Sequence, residues 1–147
     1  MYNPKLFPNL ENIPDGFIDD KILVEPLSID HAVLDFEAVS VSKLELYEQY
    51  NSESEWPLHI TLKDNIVDLG WHEKEFRDKS SFSYTILDPG RTKCFGCIYI
   101  IPSGERAELS YWVRADGICP YTKKELLLVL KSWISQEWPC LPIDIID

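Results

Sequence analysis

The chain has 147 residues and a formal net charge of −11, and 45% of its residues are hydrophobic. This length is typical of one domain, and so much apolar sequence can bury a core, which excludes extended disorder. The surplus of acids excludes a nucleic acid or an anionic membrane surface as partner, because binding to either depends on Lys and Arg. No apolar run long enough to span a bilayer and no signal or transit peptide pattern occurs, which predicts a cytoplasmic protein.

The negative charge is concentrated in the first part of the chain. Residues 1–55 contain twelve acids and three lysines, a balance of −9, whereas residues 56–147 balance at −2. One interpretation is an acidic surface that aids solubility. The other is an acidic lobe that attracts a cationic small molecule.

The first half of the sequence predicts a lead-in, a strand and a helical pair. Residues 1–20 are interrupted by three prolines, which predicts an irregular segment. The apolar run 21–27 predicts the first strand. Residues 28–50 have helical periodicity, with Ser28 or Asp30 as cap and a weak section near 39–42 where a break is expected.

The next helix is predicted to run from a capping box at Thr61–Asp64 to about Lys79. Four apolar residues are spaced as one buried face of this helix: Leu62, Ile66, Leu69 and Phe76. Gly70 within it indicates close packing, since glycine otherwise weakens a helix.

The second half predicts a hairpin, a third strand, a helix and a last strand. The hairpin turns at Asp88-Pro-Gly-Arg91, whose proline and glycine positions suit a type II turn. A capping box at Thr122–Glu125 begins a strongly apolar helix, and LPIDIID forms the final strand. The order β-α-α-β-β-β-α-β predicts an α+β fold of three layers, with one domain over residues 21–147.

The cysteines at 94 and 97 form a CxxC motif within a strand-like segment. Residues three apart in a regular strand face opposite sides of the sheet, so the two thiols are expected to diverge unless Gly96 forms a bulge. We therefore predict buried free thiols and no metal site.

Three segments in this order resemble the GNAT superfamily of acyl-CoA-dependent N-acyltransferases. KILVEPLSIDHA is similar to its first strand and the start of its first helix, FSYTILDPGRTKCFGCIYI to its second and third strands, and AELSYWVRAD to its fourth strand. The resemblance covers roughly residues 21–147. It implies a mixed, largely antiparallel sheet flanked by helices, and it implies acetyl-CoA as acyl donor and an amine as acceptor.

The resemblance also implies where acyl-CoA would bind. In the family the fourth strand splays away from the fifth, and the pantetheine lies in the gap, bonded to the fourth-strand backbone. Carried over, Trp112, Val113 and Arg114 would face the pantetheine, and residues 118–124 would meet the pyrophosphate. Tyr121, Thr122, Lys123 and Lys124 are the candidates there, since a helix begins at this point and its positive end favours an anion.

The sequence departs from the family in two places. The pyrophosphate loop has one glycine, Gly117, and Cys119, Pro120 and Tyr121 occupy positions where smaller residues let a phosphate approach the backbone. The order of elements also ends at the family's fifth strand, without its fourth helix, its last two strands and the tyrosine that often acts there as general acid. An uncovered edge of this kind favours pairing with a second copy, so a homodimer is expected.

Acyl transfer to an amine requires a base, and two residues are candidates. Glu108 lies on the predicted fourth strand, and His72 has a side chain that titrates near neutral pH. Each has an alternative role, Glu108 as a polar residue on the outer face of the sheet and His72 as a surface histidine. His59 and His31 are weaker candidates, and Trp56 lines an acceptor pocket or anchors its loop.

These observations predict a GNAT-like protein that transfers an acyl group from acyl-CoA to an amine. The alternative is a catalytically inactive GNAT-like fold that acts as a binding or interaction module. The glycine-poor loop and the short C-terminal part favour the alternative, and the strand motifs fit both.

Overall fold

The computed structural model describes residues 13–138 and 142–146, and within them a six-stranded sheet carries helices on both faces. The strands are β1 (Phe17–Ile18), β2 (Leu23–Pro26), β3 (Phe82–Leu87), β4 (Cys94–Ser103), β5 (Arg106–Val113) and β6 (Ile143–Ile145). The helices are α1 (Ala32–Val41), α2 (Lys43–Tyr50), α3 (Leu62–Arg77) and α4 (Lys123–Glu137), and a short 3-10 turn precedes α1. No helix in these ranges is both long and apolar enough to cross a bilayer.

The strands follow one another across the sheet in chain order, from β1 to β6. All neighbours are antiparallel except β5 and β6, which are parallel because α4 crosses between them. This arrangement confirms the predicted α+β fold and the order of elements from β2 onward. The prediction of an irregular segment over residues 1–20 was wrong at Phe17–Ile18, which forms β1 and pairs with β2.

Each face of the sheet has its own apolar core. On one face, α4 inserts Leu126, Leu130 and Trp133 against β3, β4 and β5. On the opposite face, α1, α2 and α3 contribute Val39, Leu46 and Leu69. The sheet is therefore the middle of three layers, and β5 contributes alternate residues to both cores.

Three predicted helix boundaries are confirmed by their hydrogen bonds. Thr61 and Asp64 form a reciprocal capping box at the start of α3, and Thr122 and Glu125 form one at the start of α4. The expected break in the helical pair falls at Ser42, whose side-chain oxygen accepts a hydrogen bond from the Ala115 amide at 2.9 Å. Ser42 thereby ties the helical pair to the segment that follows β5.

The set of α3 residues that face the core was predicted wrongly in part. Leu69 is buried, but Leu62 is 39% and Ile66 40% exposed, and Asn65 is buried in their place. The Asn65 side chain donates hydrogen bonds to the Ala32 carbonyl and to the Asp35 carboxylate, so a polar contact with α1 sets the rotation of the helix. Gly70 faces the Ile29 side chain, which a Cβ at this position would meet at 3.4 Å, an ordinary van der Waals distance.

The hairpin between β3 and β4 differs from the sequence expectation at its turn and in its strand. The turn is not type II, because the residue with positive φ is Arg91 (58°) and not Gly90. The register between the strands shifts so that Ile86 faces Gly96 while Leu87 faces Cys94, which makes Phe95 the extra residue of a bulge. Cys94 and Cys97 therefore lie in the same core, and the expected divergence of the two thiols was wrong.

Gly96 is required by the distance between β4 and β5. A Cβ at this position would lie 1.9 Å from the Trp112 carbonyl oxygen. Only glycine lets the two backbones come so close. The contact fixes β4 against the part of β5 that borders the candidate site.

Candidate functional site

The edge of β5 beyond the end of β6 is the first feature of the site, and we refer to the space beside this edge as the gap. β6 pairs only with residues 107–109 of β5, and the last bond of this ladder runs from the Ile146 amide to the Leu109 carbonyl at 2.8 Å. Residues 110–113 of β5 extend beyond the pairing. The alternation of the ladder directs the backbone groups of Tyr111 and Val113 to the same side as that of Leu109.

The C-terminal end of α2 contacts this extended part of β5. The Gln49 side-chain amide donates a hydrogen bond to the Tyr111 carbonyl at 2.8 Å. The next residue, Tyr50, places its hydroxyl 3.3 Å from the Ser110 hydroxyl. A side chain from α2 thus occupies a backbone acceptor that a sixth strand of full length would have used.

A pocket of about 370 Å³ opens beside this contact, on the face of the sheet that carries α1, α2 and α3. Its volume lies within the range of small-molecule sites. The residues that line it are Tyr50, Ser52, Ser54, Trp56, Asp68, His72, Ser81, Ser83, Tyr99, Ile101 and Ser110. We refer to this set as the aromatic pocket.

Four rings form a continuous wall of the aromatic pocket. Tyr50 meets Trp56 edge to face with ring centroids 5.8 Å apart, and it meets Tyr99 in the same way at 6.0 Å. The ring of His72 stacks on Tyr99 at 5.6 Å. The Tyr99 hydroxyl accepts a hydrogen bond from the Trp112 indole at 3.0 Å, which fixes the ring.

His72 is the titratable residue best placed for chemistry in the pocket. Its Nδ1 lies 3.0 Å from the Ser83 hydroxyl and 3.9 Å from a carboxylate oxygen of Glu75. A hydrogen bond donated by Nδ1 to the Ser83 hydroxyl leaves Nε2 as the nitrogen without a proton, and Glu75 is too distant to accept one. His72 also faces Asp68, one turn earlier on α3, where desolvation raises the pKa of the carboxyl group.

Tyr50 supplies a neutral hydroxyl to the same pocket. Desolvation raises the pKa of Tyr50 to about 12, partly offset by the hydrogen bond to Ser110. The phenol therefore stays protonated at neutral pH and acts as a hydrogen-bond donor.

The other sequence candidates for a base lie elsewhere. Glu108 is exposed on β5 and faces the side of the pocket, opposite Ile101, but it stands one strand repeat beyond Ser110 and does not line the cavity. His31 completes the cap before α1 and pairs with Glu25 at 3.2 Å. His59 is exposed on the loop before α3 and borders a neighbouring cavity.

Arg114 is buried at the end of β5 by an ion-pair cluster. Its guanidinium donates to both oxygens of Glu37, at 2.8 and 2.6 Å, and to both oxygens of Asp116, at 2.8 and 2.7 Å. It also donates to the Cys94 carbonyl at 2.9 Å. These hydrogen bonds lower the pKa of both carboxyl groups and fix the segment that leads from β5 to α4.

The two residues before Arg114 lie on opposite faces of β5. Trp112 is buried in the core under α1, α2 and α3, and Val113 packs against the core under α4. Val113 is the partly exposed member of the pair, at the end of the strand where the gap lies.

The start of α4 holds the remaining predicted cofactor residues. The capping box uses the amides of Thr122 and Glu125, which leaves the amides of Lys123 and Lys124 in the first turn, where a helix has no acceptors of its own. The Lys123 ammonium lies 5.3 Å from the centre of the Tyr111 ring, and the Tyr121 hydroxyl donates to Asp19 at 2.8 Å.

A buried polar cluster lies beneath α1, outside the aromatic pocket. Cys97 donates to the Asp35 carboxylate at 3.2 Å, Asn65 donates to it at 2.9 Å, and Cys94 lies within 4.8 Å of both Asp35 and Cys97. Desolvation raises the pKa of Asp35 and of Cys97, which favours the protonated, uncharged forms of both groups. The thiols are buried and unpaired, as predicted.

The sequence pointed to some of these residues and missed others. His72 and Trp56 were candidates and line the pocket together. Tyr50, Tyr99, Asp68 and Gln49 were missed, because they come from separate elements and only the folded sheet brings them together. The one available signal was the density of aromatic residues in 47–56.

No protein-family model matches the sequence, and the curated proteins include no match to it. Solved structures do match the fold. The microcin C7 self-immunity acetyltransferase MccE, in complex with acetyl-CoA and AMP, matches with a TM-score of 0.68 and 15% identity over 88% of this chain and 71% of that chain. The ribosomal-protein-S5-alanine acetyltransferase from Vibrio fischeri matches with a TM-score of 0.64 and 11% identity over 85% and 69%.

A ribosomal L7/L12 α-N-protein acetyltransferase, RimL, gives a TM-score of 0.63 and 12% identity over 85% of this chain and 66% of that chain. FdhC, a nucleotide-linked sugar GNAT, has the same fold, with a TM-score of 0.58. This chain thus spans about two thirds to three quarters of the length of these structures.

Proposed function

We propose that this chain, which has the fold of the GNAT acetyltransferases, transfers an acetyl group from acetyl-CoA to an amine acceptor. The observation that carries the proposal is the position of the aromatic pocket. The lining of this pocket includes both His72 and Ser110, and Ser110 belongs to the part of β5 that extends beyond β6.

The start of α4 suits the phosphate groups of an acyl-CoA. Two backbone amides, those of Lys123 and Lys124, and the positive end of a fifteen-residue helix face solvent there. Lys21 and Lys124 add positive charge nearby, although Asp19 and Glu125 offset part of it. That MccE binds acetyl-CoA on the same fold supports acetyl-CoA as the donor.

The edge of β5 suits the pantetheine once Gln49 has moved. The Tyr111 carbonyl lies on the edge that faces the gap, and in this structure it accepts a hydrogen bond from the Gln49 side-chain amide. An amide of a bound acyl chain would use the same acceptor. Gln49 is exposed, so its side chain can turn into solvent when the donor binds.

Acetyl-CoA would supply a thioester as the acyl donor, and the residues of the chain would position the amine and move its proton. In the proposed roles, His72 accepts the proton of the attacking amine through Nε2, and the Ser83 hydroxyl holds the ring through Nδ1. Tyr50 donates a hydrogen bond at the gap. Glu108, on the same face of β5 as Ser110 but outside the lining of the pocket, is the second candidate for the base.

A binding or interaction module without catalysis is the second candidate function. It is favoured by the contacts that already satisfy the expected cofactor residues. The Arg114 guanidinium is already hydrogen-bonded to Glu37 and Asp116. The Tyr111 carbonyl already accepts a hydrogen bond from Gln49.

Calorimetric titration with acetyl-CoA distinguishes the two candidates. The proposal predicts saturable binding, and the Lys124→Glu variant should lose at least tenfold in affinity because it places a carboxylate beside the phosphates. Lys131→Glu makes the same charge change further along α4 and should bind like the unmodified chain. Absence of binding at millimolar acetyl-CoA would refute the proposed acetyltransferase. The binding or interaction module would then be the supported function.

A further inference from the structure

We propose that the aromatic pocket selects a small primary amine whose single positive charge is carried on an apolar, ring-sized body. The inference rests on the proposed function only in taking this pocket as the acceptor side. It excludes polyamines, amino acids and phosphate-bearing amines as good ligands.

The walls favour an apolar body with a cationic end. Tyr50 contacts both Trp56 and Tyr99 edge to face, and all three rings line the pocket. Aromatic faces attract an ammonium group, and they also bury hydrocarbon surface. Ile101, which is 51% exposed, continues the apolar wall toward the mouth.

The charged residues of the pocket favour a ligand with one positive group and exclude a ligand with a negative group. Asp68 is the one carboxylate among the described lining residues, and no Lys or Arg is among them. A carboxylate or phosphate on the ligand would therefore meet Asp68 without a compensating cation. The burial that raises the pKa of Asp68 is offset when an ammonium group binds beside it.

The position of the pocket fixes which end of the ligand reacts. Ser110 belongs to the part of β5 that borders the gap, and His72 faces it from α3 across Tyr99. An amine whose nitrogen lies between Asp68 and His72, one turn apart on α3, has its charge beside the carboxylate and its body against the aromatic wall. A cavity of about 370 Å³ admits a body the size of one substituted ring.

The test is titration of the full chain, without acetyl-CoA, with three compounds that share one ring: phenethylamine, phenylalanine and 2-phenylethanol. Tryptophan fluorescence and calorimetry report binding. Phenethylamine should bind about tenfold more tightly than phenylalanine, which adds a carboxylate, and than 2-phenylethanol, which lacks the charge. Spermidine should bind more weakly than phenethylamine. Equal or tighter binding of phenylalanine or spermidine would overturn the proposal.

Two matched variants locate the effect. Asp68→Asn should weaken phenethylamine binding about fivefold and leave 2-phenylethanol unchanged, because only the charged ligand uses the carboxylate. Glu45→Gln removes an acid of α2 outside the pocket and should change neither. An equal loss for Glu45→Gln would mean general attraction by the acidic lobe and would overturn the site. Trp56→Leu should weaken both ligands, with the melting temperature showing that the chain is folded.

The outcome is separable from that of the proposed function. Binding of phenethylamine with no binding of acetyl-CoA would retain the amine site and reject the transferase. Binding of acetyl-CoA with no preference for phenethylamine would retain the transferase and reject this ligand class.

Discussion

Replacing Gln49 with methionine should tighten the binding of acetyl-CoA. Methionine has a similar length and no donor, so Gln49→Met removes the 2.8 Å hydrogen bond to the Tyr111 carbonyl. A hydrogen bond of this kind contributes about 0.5–1.5 kcal/mol net, and the partly solvated site of this one favours the lower half of that range. In the unmodified chain the ligand must displace the Gln49 amide, and in Gln49→Met it does not. The free energy of binding to the variant is therefore more favourable by this amount. The dissociation constant should fall by about two- to fivefold.

The assay is calorimetric titration of the unmodified chain, Gln49→Met and Glu48→Met with acetyl-CoA. Glu48 precedes Gln49 on α2 and is likewise exposed. Glu48→Met therefore controls for the effect of adding a methionine to this helix. Urea unfolding should show a small loss of stability in Gln49→Met, since the hydrogen bond to β5 is lost. Weaker binding to Gln49→Met would refute the reasoning, because it would make Gln49 a ligand of acetyl-CoA and not its competitor.

Two further predictions concern the frame of the site. Gly96→Ala places a Cβ 1.9 Å from the Trp112 carbonyl oxygen and should cost about 3 kcal/mol or more in urea unfolding. Gly90→Ala, whose Cβ would meet only the ends of the Asp88 and Thr92 side chains in an exposed turn, should cost much less. Arg114→Met should lower the free energy of unfolding by about 2–3 kcal/mol at neutral pH, with fluorescence-detected urea unfolding as the measurement. The same guanidinium lowers the pKa of Glu37 and of its second carboxylate partner, so their contribution is present above the unfolded pKa values and is lost as pH falls through the folded ones. The unmodified chain should therefore lose more stability than Arg114→Met below about pH 4.5, and parallel pH profiles would contradict the ion-pair cluster.

Local patterns predicted the parts of the fold that depend on local interactions. The capping boxes at Thr61 and Thr122 involve residues three apart, and each formed as expected. The face of α3 could not be predicted in this way. Asn65 is buried because the carboxylate of Asp35 and the carbonyl of Ala32 lie opposite it on α1, and no periodicity within α3 contains that information.

The bulge in β4 shows the same limit in a strand. A CxxC motif in regular β-structure directs its thiols to opposite faces, and the sequence offered Gly96 as the only sign of an exception. The close approach of Trp112 to Gly96, from a different strand, accompanies the shift in register. Cys94 and Cys97 then share the core with Asp35.

The residues of the site also divide into those that the sequence could identify and those that only the fold reveals. His72 and Trp56 could be singled out by residue type, and the helix start at Thr122 by its capping pattern. Arg114 was expected to face a cofactor, and the sequence did not reveal that Glu37, on α1, would bind it. The roles of His72 and Glu108, and the dimer expected from the edge of the sheet, remain predictions.

The central claim is that the chain acetylates an amine held in the aromatic pocket. Its most direct test is mass spectrometry of phenethylamine after incubation with acetyl-CoA and the chain, with His72→Gln as the matched variant. The account predicts N-acetylphenethylamine, formed at least a hundredfold more slowly by His72→Gln, since a positioned general base contributes about that much to proton transfer. No acetylated product from a chain shown to bind both compounds would contradict it.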